Sequence, residues 1–342
     1  MKKIKDQTYQ QEMEEVIEEE KKEGTLKSII LWIFSNIKFL LIPGSRIEEL
    51  SWRESEYERT VSKRKFIRRL KSTLTILGIF LVIIIVSLAV FPHWISPYTF
   101  EEADGIFANS WGDPSPEHPL GQTSFGRDVL ARIIYGTRNS LTFALPAITL
   151  SVSVGVILGV IAAYYGGWVD SVIMRIADIF LAFPALVFAI ILVAIFDDMA
   201  IRLQVIIMAF GILGIPAYAR IVRASVLQAR ELPYIEAAKV AGAGNWRIMF
   251  RHILPNTIQP IIITFTFDIG GFILLFAGLA FLGFTDPHLI EWGRDIDVGR
   301  GHLVNAPWAA LYPGLMILFT VLGFMLVGDG LRDALDPRLR NL

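Results

Sequence analysis

The chain has 342 residues, of which 54% are hydrophobic and only 19% charged, and a mean hydropathy of +0.52 marks it as an integral membrane protein rather than a soluble domain. A formal net charge of -1 excludes a global field that would gather nucleic acid, so none is expected as a partner. The absence of cysteine excludes a disulfide framework, a thiol nucleophile and a thiolate metal site.

From the N-terminus, MKKIKDQTYQQEMEEVIEEEKKEG has basic residues but no apolar core behind them, so it does not read as a cleavable signal peptide and is expected to stay in the mature protein. Its acidic run, 12–23, reads as a solvated segment. The next stretch, 26–44, is apolar mainly over 29–42 and is interrupted by Ser35, Asn36 and Lys38. That is short and polar for a span, and it reads as an interfacial amphipathic helix, with a seventh span as the alternative.

Crossing roughly 30 Å of hydrocarbon at a rise of 1.5 Å per residue takes about 20 apolar residues. Runs of this kind lie at 74–91, 141–166, 172–196, 204–218, 257–283 and 309–327, the fourth being the shortest. Pro146, Pro184, Pro216, Pro260 and Pro313 lie inside them, where neighbouring helices can re-satisfy freed backbone groups. The expected fold is therefore all-α, with six transmembrane helices. An N-terminal cytoplasmic or interfacial extension covers 1–71, the first helix and an outer loop 72–137, and the core 138–342. The basic segment SKRKFIRRLK, 62–71, puts the start of the first span in the cytoplasm. Threading six spans from there returns 219–256, with Arg220, Arg223, Arg230, Lys239, Arg247 and Arg251, to the same side, along with the tail RDALDPRLRNL. Arg127, Arg132 and Arg138 fall on the first outer loop against this pattern, accompanied by Asp104, Asp113, Glu117 and Asp128.

Between the fourth and fifth spans, YIEAAKVAGAGNWRIMFRHILPN (234–256) is too organised for a simple connection. Pro233 suits the first turn of a helix that runs from Tyr234 to a left-handed cap at Gly242. Asn245 suits the N-cap of a second helix, with Trp246, Met249, Phe250 and Ile253 on one face, Arg247 and Arg251 elsewhere, and Pro255 as its stop. The product is a cytoplasmic elbow with a small-residue surface at Ala237, Ala238 and Gly242. It reads either as a docking peg for another protein or as a loop helix packed on the bundle's own base, and the residues alone leave both open.

Neither a GxxxxGK[ST] phosphate loop nor an HExxH pair occurs, and the five histidines (His93, His118, His252, His288 and His302) lack ligand spacing. No catalysis, cofactor or metal is expected of this chain. Asp170, Asp178 and Asp333 lie near span ends, where ion pairs or caps are their reading. Asp268 differs, lying about 12 residues into the fifth span and close to the bilayer midplane, where a charge costs about 2.5 to 3.5 kcal/mol. It reads as a polar lining of a water-filled path, or as a structural hydrogen-bonding pair or a carboxyl kept neutral by burial.

EAAKVAGAGNWRIMFRHILPN resembles the EAA signature of permease subunits of ATP-binding cassette importers, with Glu236, Ala237, Ala238, Gly242, Leu254 and Pro255 at the matching positions and His252 where the general pattern has Ile. From about His118 onward, HPLGQTSFGRDVLARIIYGTRNSL, AYYGGWVDSVIMRIADIFLAFP, APWAALYPG and GDGLRDALDPRLR are similar to the second, C-type permease of oligopeptide and dipeptide importers. The resemblance implies a type I permease fold and a coupling role for Tyr234, Glu236, Ala237, Ala238, Gly242, Asn245, Arg247, His252 and Pro255 within about 219–256. It also implies a sister permease in a heterodimer, two ATP-binding subunits that hydrolyse ATP, and an extracytoplasmic solute-binding protein. The solute implied is a peptide, or nickel, glutathione or a sugar in relatives of the branch; a stand-alone secondary transporter is the rival class. Departures from the family pattern are Gln122 and Thr123 for Thr-Asp, Met325 for Asn, Phe276 for Glu, and the long N-terminal extension.

Overall fold

The computed structural model describes residues 70, 72–106, 109–196 and 198–335, so the readings for 12–23 and 26–44 and the last seven residues of the tail lie outside the described residues. Helix α1 (Thr73–Val90) starts where Ser72 caps it, its hydroxyl accepting from the Thr75 N–H at 3.2 Å. Apolar all round, α1 buries little except Thr75, Gly78 and Ile85 and lies mainly against the last helix. Two short helices follow, α2 (Pro92–Ile95) and α3 (Phe100–Asp104).

Helix α4 (Val129–Tyr165) is 37 residues long, about 55 Å, and so exceeds the hydrocarbon thickness. It begins well before the apolar run at 141 because Asp128 caps it, its carboxylate accepting from the Ala131 N–H at 2.7 Å. Arg132 and Arg138 therefore stand on helix rather than loop. The helix α7 (Arg202–Ala229) packs along α4. A Cβ on Gly159 would stand 2.5 Å from the Ala219 carbonyl oxygen and 2.8 Å from the Val222 Cβ, so the two backbones meet there. Gly159→Leu is expected to pry α4 from α7 and to lower the thermal midpoint in detergent by an overpacking cost of about 3 kcal/mol. An unchanged midpoint would show that the seam tolerates bulk.

The third apolar run is not a straight span. It divides into α5 (Gly167–Leu181) and α6 (Ala185–Ile195), bent by 82° across the break. Pro184 stands at the break, where it offers no N–H and holds Phe183 out of the helical region. Pro146, Pro216 and Pro313 stay inside continuous helices, as does Pro260. Among the described residues five helices are long and apolar enough to cross a membrane, or six if the bent pair counts as one span.

Helix α8 (Pro233–Val240) is followed by α9 (Asn245–Arg247), which runs through a π-helical turn, Ile248–Ile253, into α10 (Leu254–Phe281). Pro255 thus fails to stop the second elbow helix. It occupies the first turn of α10 while the wider π-helical turn carries the chain through. Helix α11 (Trp292–Gly299) lies at the other end of α10, and α12 (Trp308–Leu335) closes the chain against α1 and α10. The core centres on Phe143, whose ring stacks on Phe276 at 4.0 Å and meets Phe210 edge-on at 5.7 Å.

The segments around α3 and α11 are pinned by ions as well as by a small apolar cluster of Ala103, Ala131, Tyr135 and Ile290. Arg132, 3% exposed, donates from Nε to both Asp295 carboxylate oxygens at 2.9 and 3.1 Å, and from Nη1 to the Ala103 carbonyl at 3.1 Å. This ties α3, α4 and α11 together. Glu291 is fully buried and caps α11, accepting from the Gly293 N–H at 2.6 Å, and burial pushes its carboxyl up to about 8.

Candidate functional site

The elbow is rooted by apolar residues and leaves its tip free. Ile235 on α8 and Ile248, Met249 and Ile253 after the turn are buried in the main core. Tyr234, Glu236, Ala237, Lys239, Gly242, Asn245 and Arg247 are exposed, with Ala238 half-buried. Val240 at 90% and Trp246 at 65% exposure stand out as the most exposed apolar groups of the elbow.

Gly242 makes the turn. Its φ is +79°, its N–H donates to the Lys239 carbonyl at 2.9 Å, and the next N–H, of Ala243, reaches back to the Ala238 carbonyl at 3.0 Å. This is the paired bonding of a left-handed helix end. The N-cap of the second helix is Gly244 rather than Asn245, which is the first helical residue. Asn245 is used differently: its Oδ1 accepts from the Tyr164 hydroxyl at 2.9 Å, tying the elbow to the last turn of α4. Alongside, Arg230 donates to the Ala163 carbonyl at 2.6 Å and Asn256 to the His252 carbonyl at 2.7 Å.

The expected apolar face of the second helix is also rotated. Met249 and Ile253 are buried as expected, but Ile248 joins them, while Trp246 turns out and lies over Phe250 at 4.2 Å. The π-helical turn adds a residue to the register and shifts the buried stripe. Gly242, Gly244, Asn245, Trp246, Arg247, Phe250 and Arg251 line a cleft of about 690 Å³. His252 is half-buried and Pro255 exposed behind it. Glycine, aromatic and arginine surfaces together suit an apolar and acidic protein partner more than a small molecule.

Asp268 lies away from the elbow, on α10. It is half-buried and accepts from the hydroxyl of fully buried Tyr218 on α7 at 2.7 Å. The chain therefore supplies one partner for the carboxylate, which sequence reading had no means of naming. Phe276, two helical turns on, is fully buried against Phe143, so it serves packing. Gln122 and Thr123 are both buried, and Gln122 donates to the Gly126 carbonyl at 2.7 Å to hold the outer turn. Asp170 pairs with Arg223, and Asp178 with Arg220. Among the described residues no group of three His, Asp or Glu side chains is placed to hold a metal.

Long apolar helices around a common core, with an anchored elbow between two of them, define a multi-pass helical membrane protein. Residues 155–341 match the binding-protein-dependent transport system inner membrane components, and the chain belongs to that family. It is 40% identical over 290 residues to the dipeptide transport system permease protein DppC of Alkalihalophilus pseudofirmus, covering 84% of this chain and 94% of that protein. It is likewise 40% identical over 280 residues to the glutathione transport system permease protein GsiD of Pectobacterium atrosepticum, covering 81% and 92%. To the GsiD of Escherichia coli O157:H7 it is 39% identical over 263 residues, covering 76% and 85%.

Proposed function

We propose that this permease forms half of the translocation path of an ATP-binding cassette importer for peptides. A sister permease supplies the other half, and an extracytoplasmic binding protein delivers the solute. Two ATP-binding subunits hydrolyse ATP and drive the path through the elbow, with Tyr234, Glu236, Ala237, Ala238, Gly242, Asn245, Arg247, His252 and Pro255 at or behind the contact. Both termini lie in the cytoplasm. The observation that carries this reading is the elbow itself: a tip of exposed Val240 and Trp246 on a root of buried Ile235, Ile248, Met249 and Ile253. A loop helix serving only the bundle's base would bury that tip.

Glutathione-carrying relatives favour a second reading within the same branch, a small peptide-like solute of that kind. ATP-dependent uptake of labelled dipeptide, glutathione and nickel by vesicles containing the assembled complex separates the two. Uptake by this chain alone, without ATPase subunits, would overturn both in favour of a secondary transporter.

Asp268 is proposed as a polar site on the path, held in aim by Tyr218. Asp268→Asn keeps hydrogen-bonding capacity and is expected to slow uptake about tenfold, whereas Asp268→Leu abolishes it, with complex assembly intact in both. Unchanged uptake in both variants would return Asp268 to a structural role.

A further inference from the structure

The bent third segment has a geometry that a transmembrane helix does not. Asp170 and Asp178 are eight residues apart on α5, about 12 Å, yet their partners Arg223 and Arg220 are three residues apart on α7, about 4.5 Å. This unequal spacing fits an α5 that crosses α7 more than it runs along it. The 82° bend then turns α6 away from that direction. Trp168, Val172, Ile176 and Ile179 form an exposed stripe on α5, at 76%, 47%, 51% and 56% exposure. At 100° per residue, Arg175 falls between this stripe and the charged side. Arg175 is exposed and has no ion pair among the described residues. It lines a cleft of about 500 Å³ together with Asp170, Ser171, Met174, Asp178, Arg220 and Arg223. Three arginines against two aspartates leave this cleft one positive charge in excess.

We propose that α5 is a membrane-surface helix and that its cleft takes the phosphodiester headgroup of an anionic phospholipid, with Arg175 and Arg220 on the phosphate and the acyl chains along the Trp168 stripe. The charge excess matches one phosphodiester, and Arg175 sits where a cation on an amphipathic helix meets the headgroup level. A tryptophan at the start of the stripe belongs at the same depth. That the leaflet is the cytoplasmic one rests on the orientation proposed above, whereas the lie of α5 and the headgroup site do not depend on it.

The chain has no cysteine, so single spin labels report without background. Val172→Cys and Ile179→Cys, labelled in the full complex in nanodiscs of phosphatidylglycerol and phosphatidylethanolamine, are expected at the same shallow depth and open to both oxygen and a nickel chelate. In a straight span they would differ by about 10 Å, and that result overturns the proposal. Labels shielded from both relaxers would do the same, because a protein neighbour would then cover the stripe. For the headgroup, Arg175→Gln is expected to weaken phosphatidylglycerol retention about fivefold, the effect of one basic residue at an anionic surface, with Arg175→Lys near wild type and phosphatidylcholine retention unchanged. Equal retention by Arg175→Gln and wild type, or displacement of the lipid by soluble glycerol phosphate at matched concentration, would overturn the headgroup site.

Discussion

Gly242→Val is expected to leave membrane insertion and the fold intact while abolishing coupled transport. At φ +79° a β-branched residue is strained by about 1 to 2 kcal/mol, but no neighbouring atom lies within 4 Å of a Cβ placed there. The cost is thus one of direction rather than of collision: α8 and α9 relax to a different angle while Ile235, Ile248, Met249 and Ile253 keep the root in place. Copurification with the ATPase subunits and ATP-dependent uptake measure it, expected to fall together or to leave hydrolysis running without transport. Gly242→Asn, which tolerates the left-handed region, should retain most of the activity. Glu236→Ala is expected to lose coupling in the same assay. Wild-type uptake by Gly242→Val and Glu236→Ala would count against the elbow as the coupling site.

Arg132→Met is expected to be the most destabilising single change in the outer layer. It strands Asp295, 6% exposed, without the guanidinium that meets it at 2.7 to 3.1 Å, and removes a donor from the Ala103 carbonyl. Breaking a buried pair from one side costs about 3 to 5 kcal/mol. The readouts are a lower thermal midpoint and faster proteolysis of the 92–128 segment, which Arg132 fastens through α3. Adding Asp295→Leu should recover part of the loss, since two apolar groups leave no buried charge behind. Arg132→Lys should fall between, because an ammonium cannot span both carboxylate oxygens. A midpoint unchanged by Arg132→Met would show that apolar contacts carry the outer layer.

The spans were legible because run length against bilayer thickness is a local property, and the left-handed turn at Gly242 because few residues accept it. The break at Pro184 was harder. Pro146, Pro216, Pro260 and Pro313 carry the same local signal and do not break their helices. What separates Pro184 is the change of side across it, from an amphipathic helix with Asp170, Arg175 and Asp178 to the wholly apolar α6. The Trp246 stripe differs because a π-helical turn shifts register without any marker in composition, and the cap differs because Gly244 takes the extended backbone while the Asn245 side chain is spent on Tyr164. Contacts such as Arg132 with Asp295, 163 residues apart, or Tyr218 with Asp268, 50 apart, belong to the tertiary fold and leave no trace in spacing.

The continuity of α9, the π-helical turn and α10 makes a single rod of 37 residues, about 55 Å long, from Asn245 to Phe281. Its Asn245 end forms the wall of the elbow cleft, and Asp268 rides about 35 Å along it. A tilt of about 5° imposed at the cleft would swing the far end by about 5 Å unless the π-helical turn or Pro260 absorbed it. Helix α11 packs beside that far end, and Arg132 locks α11 to α4 and α3. On the coupling role proposed for the elbow, a push at its cleft would reach the Tyr218–Asp268 hydrogen bond and the Arg132-locked seat of α11 in one stroke, so that opening one mouth and closing the other would be the same movement.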